Sequence, residues 1–160
     1  MFNITRLATA TLIAFTVSGC AMVSVGSVSS EDYLSARRGD VLTTGKLSAS
    51  SRTALQVVGT DEEGCNRDLA NCRKTLIANI GLSDEQRLST LSELWLQEAL
   101  RHEEAQILEP ANDALKAATL SAFLESAKHA YAYLFFTSRA SDLRAMEDRQ
   151  AQVRDYYNFS

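Results

Sequence analysis

One proline, Pro110, stands in 160 residues, so the chain is almost nowhere forced out of a helix by its own covalent geometry. A period-two alternation of apolar and polar residues is missing, which argues against a sheet. No apolar run reaches the roughly 20 residues that a membrane-spanning helix requires. The chain has no G-x-S-x-G nucleophile elbow, no P-loop, no dinucleotide glycine motif and no H-E-x-x-H. "GSVSS" at 26–30 lacks both the spacing and the strand that an elbow needs. Basic residues are outnumbered 16 to 20, for a net charge of −4. That balance argues against binding to nucleic acid, whose phosphates require a basic surface.

What is present begins at the amino terminus. Arg6 is the only charge before Glu31, and an apolar run from Leu7 to Val17 follows it. A charged start, a short apolar middle and a small-residue end read as a secretory signal peptide. The run ends in Val17-Ser18-Gly19-Cys20, which resembles a bacterial lipobox. That resemblance implies diacylglyceryl transfer to Cys20, cleavage before it and acylation of the new amino terminus, a multi-chain anchor that holds stably in a bilayer. Ala21 follows, where the comparable inner-membrane signals of enteric bacteria carry aspartate, so the expected place is the outer membrane, facing the periplasm. Cleavage removes Arg6 and no acid, which enlarges the excess of negative charge. The expected organisation is a signal peptide over 1–19, a lipidated flexible tether over 20–30 and one helical domain over 31–160.

Cys65 and Cys72 are the remaining thiols. In an exported chain an even pair fits a disulfide. Seven residues apart in one continuous helix, their Cα atoms would lie about 10.5 Å apart, and a disulfide needs less than about 7 Å. A bend must therefore fall between them. Gly64 and Asn66 are the expected bend, with Cys65 in a loop and Cys72 in the helix after it. Two cysteines without nearby histidines do not make a zinc site.

The rest of the chain reads as all-α, about five helices packed as an irregular bundle or a stack of helix pairs. "SSEDYLSARR" begins with a helix-start signal. "RGDVLTTGKLSAS" carries two glycines and reads as a loop, and its Arg38-Gly39-Asp40 reads as a turn between solvated charges. A short helix in "SASSRTALQVVG" ends at Gly59, and one in "RDLANCRKTLIANIG" ends at Gly81. Ser83 to Gln86 has capping-box spacing. The helix that follows carries Leu88, Leu91, Trp95 and Ala99 on one stripe, widened by Leu96 and Leu100, which predicts two packing neighbours. It is expected to break near Glu109. The next helix has a stripe of Leu120, Phe123, Leu124, Ala127, Tyr131, Leu134 and Phe135, with alanines at 117, 118, 122, 130 and 132 that allow a close neighbour. The last helix is expected in "SDLRAMEDRQAQVRDYYNF", charged on most faces.

Few residues carry chemistry. Glu98 with His102, and Glu125 with His129, are spaced i, i+4 and share a helix face. Di-iron bundles use an E-x-x-H spacing instead, and the two pairs fall on faces that do not converge. They read as solvated pairs, and no catalytic residue, metal or cofactor is expected. The aromatics toward the carboxyl end are different. Tyr133, Phe136, Tyr156 and Tyr157 belong to a cluster whose exposed members would mark a contact surface.

The stretches "YLSARRGDVLTTGKLS", "LSELWLQEAL", "HAYAYLFFTS" and "EDRQAQVRDYYNF", with the Cys65/Cys72 pair, resemble the amino-terminal region of a family of bacterial lipoproteins. The resemblance spans residues 31–159. It implies a helical region that precedes an α/β-hydrolase domain of the esterase/lipase type, whose nucleophile, acid and histidine would lie beyond Ser160. None of those residues can be placed on this chain. The expected partners are a membrane, through the lipid, and either a hydrolase domain or another envelope protein. The chain then reads either as a fragment of a split or truncated gene or as a free-standing version of the helical region.

Overall fold

The computed structural model describes Ser29 and residues 38–160. The expected signal peptide, the lipidation site Cys20 and most of the helix expected in "SSEDYLSARR" lie outside the described residues. Among the described residues the architecture is all-α, with no strand. Seven α-helices are present among the described residues, and five of them have seven or more residues.

The segment read as a loop contains a helix. α1, Val41–Thr44, is one turn held by a complete capping box. The Asp40 carboxylate accepts from the Leu42 and Thr43 amides, each at 3.1 Å, and Thr43 Oγ1 accepts from the Asp40 amide at 3.0 Å. Asp40 is buried, so the aspartate of the Arg-Gly-Asp tripeptide is a helix cap and not part of a solvated turn, while Arg38 stays exposed. Gly45 ends α1 at φ 71°, a left-handed conformation that glycine adopts at little cost.

α2, Ala49–Val57, is capped by Ser48 and followed by Gly59 at φ 81°, as its sequence predicts. α3, Glu62–Arg67, and α4, Leu69–Ala78, meet at Asp68. This one residue ends α3 and starts α4: its φ of −149° and ψ of 78° break the helix, and its carboxylate accepts from the Asn71 amide at 3.0 Å. The bend between the cysteines is therefore at Asp68 and not at Gly64 or Asn66, and Cys65 lies in a helix and not in a loop. The kink brings the two Cα atoms to 5.2 Å with the sulfurs at bonding distance, 2.01 Å.

α4 stops at Asn79, short of the expected Gly81. Arg87 explains the early end. Its guanidinium donates to the carbonyls of Leu76 (3.2 Å), Asn79 (2.7 Å) and Leu82 (3.1 Å), and so satisfies groups that a glycine cap would otherwise serve.

α5, Asp84–Leu108, is the central element, and its Ser83/Gln86 capping box is formed. It buries residues on nearly every side and contacts α1, α2, α4, α6 and α7. A short connection at 109–112 turns the chain into α6, Asp113–Phe136, with Asn112 as its cap. The expected single last helix is interrupted. A 3₁₀ turn at Asp142–Arg144 precedes α7, Asp148–Phe159. The interruption lets Arg144 turn fully inward: its guanidinium carbon lies 4.4 Å from the Tyr133 ring centroid, and it donates to the Tyr133 carbonyl at 3.1 Å.

Two apolar clusters flank α5. One gathers Leu55, Leu76, Leu91 and Leu94 around the Cys65–Cys72 pair. The other gathers Leu96, Ala130, Tyr133, Leu134, Val153 and Tyr156. α6 joins the second cluster mainly through its small-residue face, and of the expected apolar stripe only Leu134 is buried there, with Phe123 packed at the edge. Its buried residues are Thr119, Ala122, Ser126, Ala130, Tyr133 and Leu134. Ser92 Oγ on α5 donates to the Ser126 carbonyl at 3.1 Å, an approach that only small side chains permit. Close backbone packing thus sets the orientation of α6, and most of the expected stripe turns outward.

Candidate interaction surface

The outward face of α6 carries Leu120, Leu124, Tyr131 and Phe135, all exposed. Phe136 beside them is 73% exposed. α7 extends the patch with Tyr157 and Phe159. Four rings form one group, with Tyr131 lying 4.8 Å from Phe135, 5.7 Å from Phe136 and 6.0 Å from Tyr157 between centroids, and Phe123 and Phe159 form a second pair at 6.1 Å. Contiguous apolar surface of this kind marks interaction sites more often than it marks ordinary solvent-facing protein.

Of the four aromatics expected to meet a partner, the fold separates two from two. Phe136 and Tyr157 are on this surface. Tyr133 is 0% exposed and Tyr156 is 1% exposed, so neither offers a side chain to a partner in this conformation. Their burial follows from register. Tyr133 sits on the small-residue face of α6, and Tyr156 lies on the side of α7 that packs inward with Val153.

The second notable group is buried and polar, and no local pattern marks it. Glu93, on α5, is 1% exposed. Its Oε1 accepts from the Val41 amide (3.3 Å) and the Ser48 amide (2.7 Å), and its Oε2 accepts from Ser48 Oγ (2.7 Å). One carboxyl therefore holds the starts of both α1 and α2. Burial pushes the Glu93 carboxyl above the ordinary carboxylate range, against the pull of the Ser51 and Ser48 donors. Tyr156 and Asp40 face the same space. Burial and the two acids push the Tyr156 phenol well above its usual value. A carboxyl in the middle of a helix has no local pattern that distinguishes it from a solvated one, which is why Glu93 escapes sequence reasoning.

At the other end of α5, Glu85 forms an ion pair with Arg139, which also reaches Glu147 at 2.8 Å. Hydrogen bonding from Arg139 holds the Glu85 carboxyl below the ordinary range. This is a structural tie between the start of α5 and the segment after α6.

The paired acids and histidines do not converge on a metal site. Glu98 is bound by Arg73, whose guanidinium carbon also stacks 3.6 Å above the Trp95 ring. Glu125 is held by Lys128 at 2.6 Å. Burial pushes the His129 imidazole below its usual value, and Glu125 partly offsets this. Among the described residues no group of three or more histidine, cysteine, aspartate or glutamate side chains is placed to hold a metal. Among them, too, no helix is long and apolar enough to cross a membrane. No protein-family profile, curated protein or solved structure matches the chain.

Proposed function

We propose that the chain is the helical domain of a lipid-anchored bacterial envelope protein and that it holds a partner domain instead of performing a reaction. The carrying observation is the apolar face of α6 with the adjoining rings of α7, left outward while small residues fill the interior. The fit of "VSGC" to a lipobox supports the anchor, with Cys20 as the modified residue. The likeness of residues 31–159 to the region preceding an esterase/lipase-type hydrolase supports such a hydrolase domain as the occupant of the face. In this reading the catalytic residues belong to that domain and not to this chain.

Photo-crosslinking in the host membrane tests the assignment. A photoreactive residue at position 135 is expected to label a polypeptide carrying a hydrolase domain, and the same group at Glu104, on α5, is expected not to. Labelling of a different envelope protein would favour the adaptor reading, in which this domain serves as a free-standing interaction module. Equal labelling from both positions, or labelling of lipid alone, overturns the docking face. Intact mass of the same membrane-extracted species, starting at an acylated Cys20, tests the anchor separately.

A further inference from the structure

α7 is fastened to the bundle differently from every other helix among the described residues. In α1 to α6 the first turn is closed by a side-chain cap, from Asp40, Ser48, Asp61, Asp68, Ser83 and Asn112 in turn. α7 starts at Glu147, whose side chain makes no cap bond, and the 3₁₀ turn before it has no side-chain cap either. A missing cap leaves the first amides of a helix without a protein partner and weakens its start. Only two apolar side chains of α7 are buried, Val153 and Tyr156. The other groups that this segment turns inward are polar and poorly matched. Gln152 Nε2, Gln150 Oε1 and Arg149 Nε are buried without hydrogen-bond partners. So is Nη1 of the fully buried Arg144, and Glu85 Oε1 stands 4.0 Å from the Arg144 Nε. Each such group costs free energy while the segment is docked and regains water when it leaves. The chain upstream is held more firmly. Arg139 donates to the Glu85 carboxylate on α5 through Nε, at 2.8 Å, and through Nη2. Beyond it Leu143 and Met146 point to solvent. The Arg139–Glu147 ion pair spans this point, and as an exposed pair it contributes little.

We infer that residues 141–160 form a releasable strap, which leaves α5 and α6 as one unit while the rest of the fold stays closed. Moving elements are drawn from the least stable parts of a structure, and this segment combines an open helix start, a small apolar contact and unmatched buried polar groups. Arg144 lies over the Tyr133 ring, and Val153 and Tyr156 complete the second apolar cluster, so release uncovers Tyr133 and Leu134. Tyr157 and Phe159 depart with the strap. Opening thus exchanges one set of side chains for another beside the outward face of α6. Where that face holds a partner, as proposed above, the strap sets which rings the partner meets. The strap itself does not depend on that reading.

Native-state hydrogen exchange on the detergent-solubilised full chain, with no partner present, tests the strap alone. The amides of 152–159 are expected to share one protection factor, about tenfold or more below that of the α5 amides at 91–99. Three mild variants separate strap release from global unfolding. Val153→Ala removes an inward contact of the strap and should lower α7 protection about fivefold. Gln152→Leu removes an unpaired buried donor and should raise it about threefold. Leu76→Val, in the first apolar cluster, should lower α5 protection and leave α7 protection unchanged, because that cluster stays intact when the strap opens. Peptide-resolved nitration of Tyr133 should speed up in Val153→Ala by the same factor as α7 exchange. Equal protection in α5 and α7, or an equal loss in both on Leu76→Val, would show that α7 opens only with the whole fold and would overturn the strap. Protection that falls steadily from 152 to 159 is fraying of a helix end and overturns it too, as does an α7 that responds to neither of its own variants. Tyr133 nitration unaffected by Val153→Ala would overturn the uncovering of that ring.

Discussion

Glu93 is the residue on which the amino-terminal half depends. Its folded-state pKa is raised, so the folded protein holds the proton more tightly than the unfolded chain. The sign follows: this contribution to stability is fully present below the unfolded value near 4.5 and is lost as pH rises through the folded value. Glu85 acts in the opposite sense, since its lowered pKa supplies stability above its unfolded value that is lost as pH falls. Urea midpoints measured across this range should show Glu93→Gln with a flatter decline toward neutral pH than the parent. An unchanged slope would mean that Glu93 is not the titrating group. Arg87 is the other residue whose role is plain only in three dimensions. Replacing it with alanine removes three donor bonds to carbonyls at the end of α4 and in the turn after it, and should cost about 2 kcal/mol in a denaturation experiment. A loss within the scatter of surface substitutions would show that water serves those carbonyls equally well.

At the scale of elements, the α3–α4 pair is defined by its kink and its cross-link. Cys65→Ser opens a short covalent loop and should destabilise the protein by roughly 2–3 kcal/mol on the loop-entropy account. No change in the thermal midpoint relative to the reduced parent would show that the thiols are not joined in the purified protein. Elements whose signals are local were legible beforehand: the Ser83/Gln86 box, the break at Glu109 and the end of α2 near Gly59 are read from neighbouring residues. Elements decided by distant partners were not. Arg87 ends α4 from the next helix, the expected last helix is interrupted where Arg144 packs on Tyr133, and α1 depends on an aspartate that looked like part of a turn. α6 was half legible: its alanines at 122 and 130 marked a face that a neighbouring backbone approaches, whereas most of the apolar stripe expected to be buried is exposed. The candidate surface was half legible for the same reason. Composition marked Phe136 and Tyr157 together with Tyr133 and Tyr156, and only the register of the two helices separates them.

At the scale of the whole molecule, the outward apolar face should be dispensable for folding and decisive for association. Phe135→Ser with Phe136→Ser is expected to leave the thermal midpoint within about 1 kcal/mol equivalent of the parent, since both rings are already exposed. The same pair should abolish partner crosslinking at neighbouring positions. A large drop in stability would instead assign those rings to the core of the fold.

The bonds from Glu93 to Val41 and Ser48 span 52 and 45 residues. Contacts so distant along the chain form late, because the loop between them must close first. Val41 and Ser48 are thus made well before Glu93 and gain these bonds only after it. Until α5 is in place, α1 and the start of α2 have only their own caps and the Glu62 bond to Leu47 to hold them, and a chain interrupted in synthesis before Glu93 lacks the group that ties the two starts together.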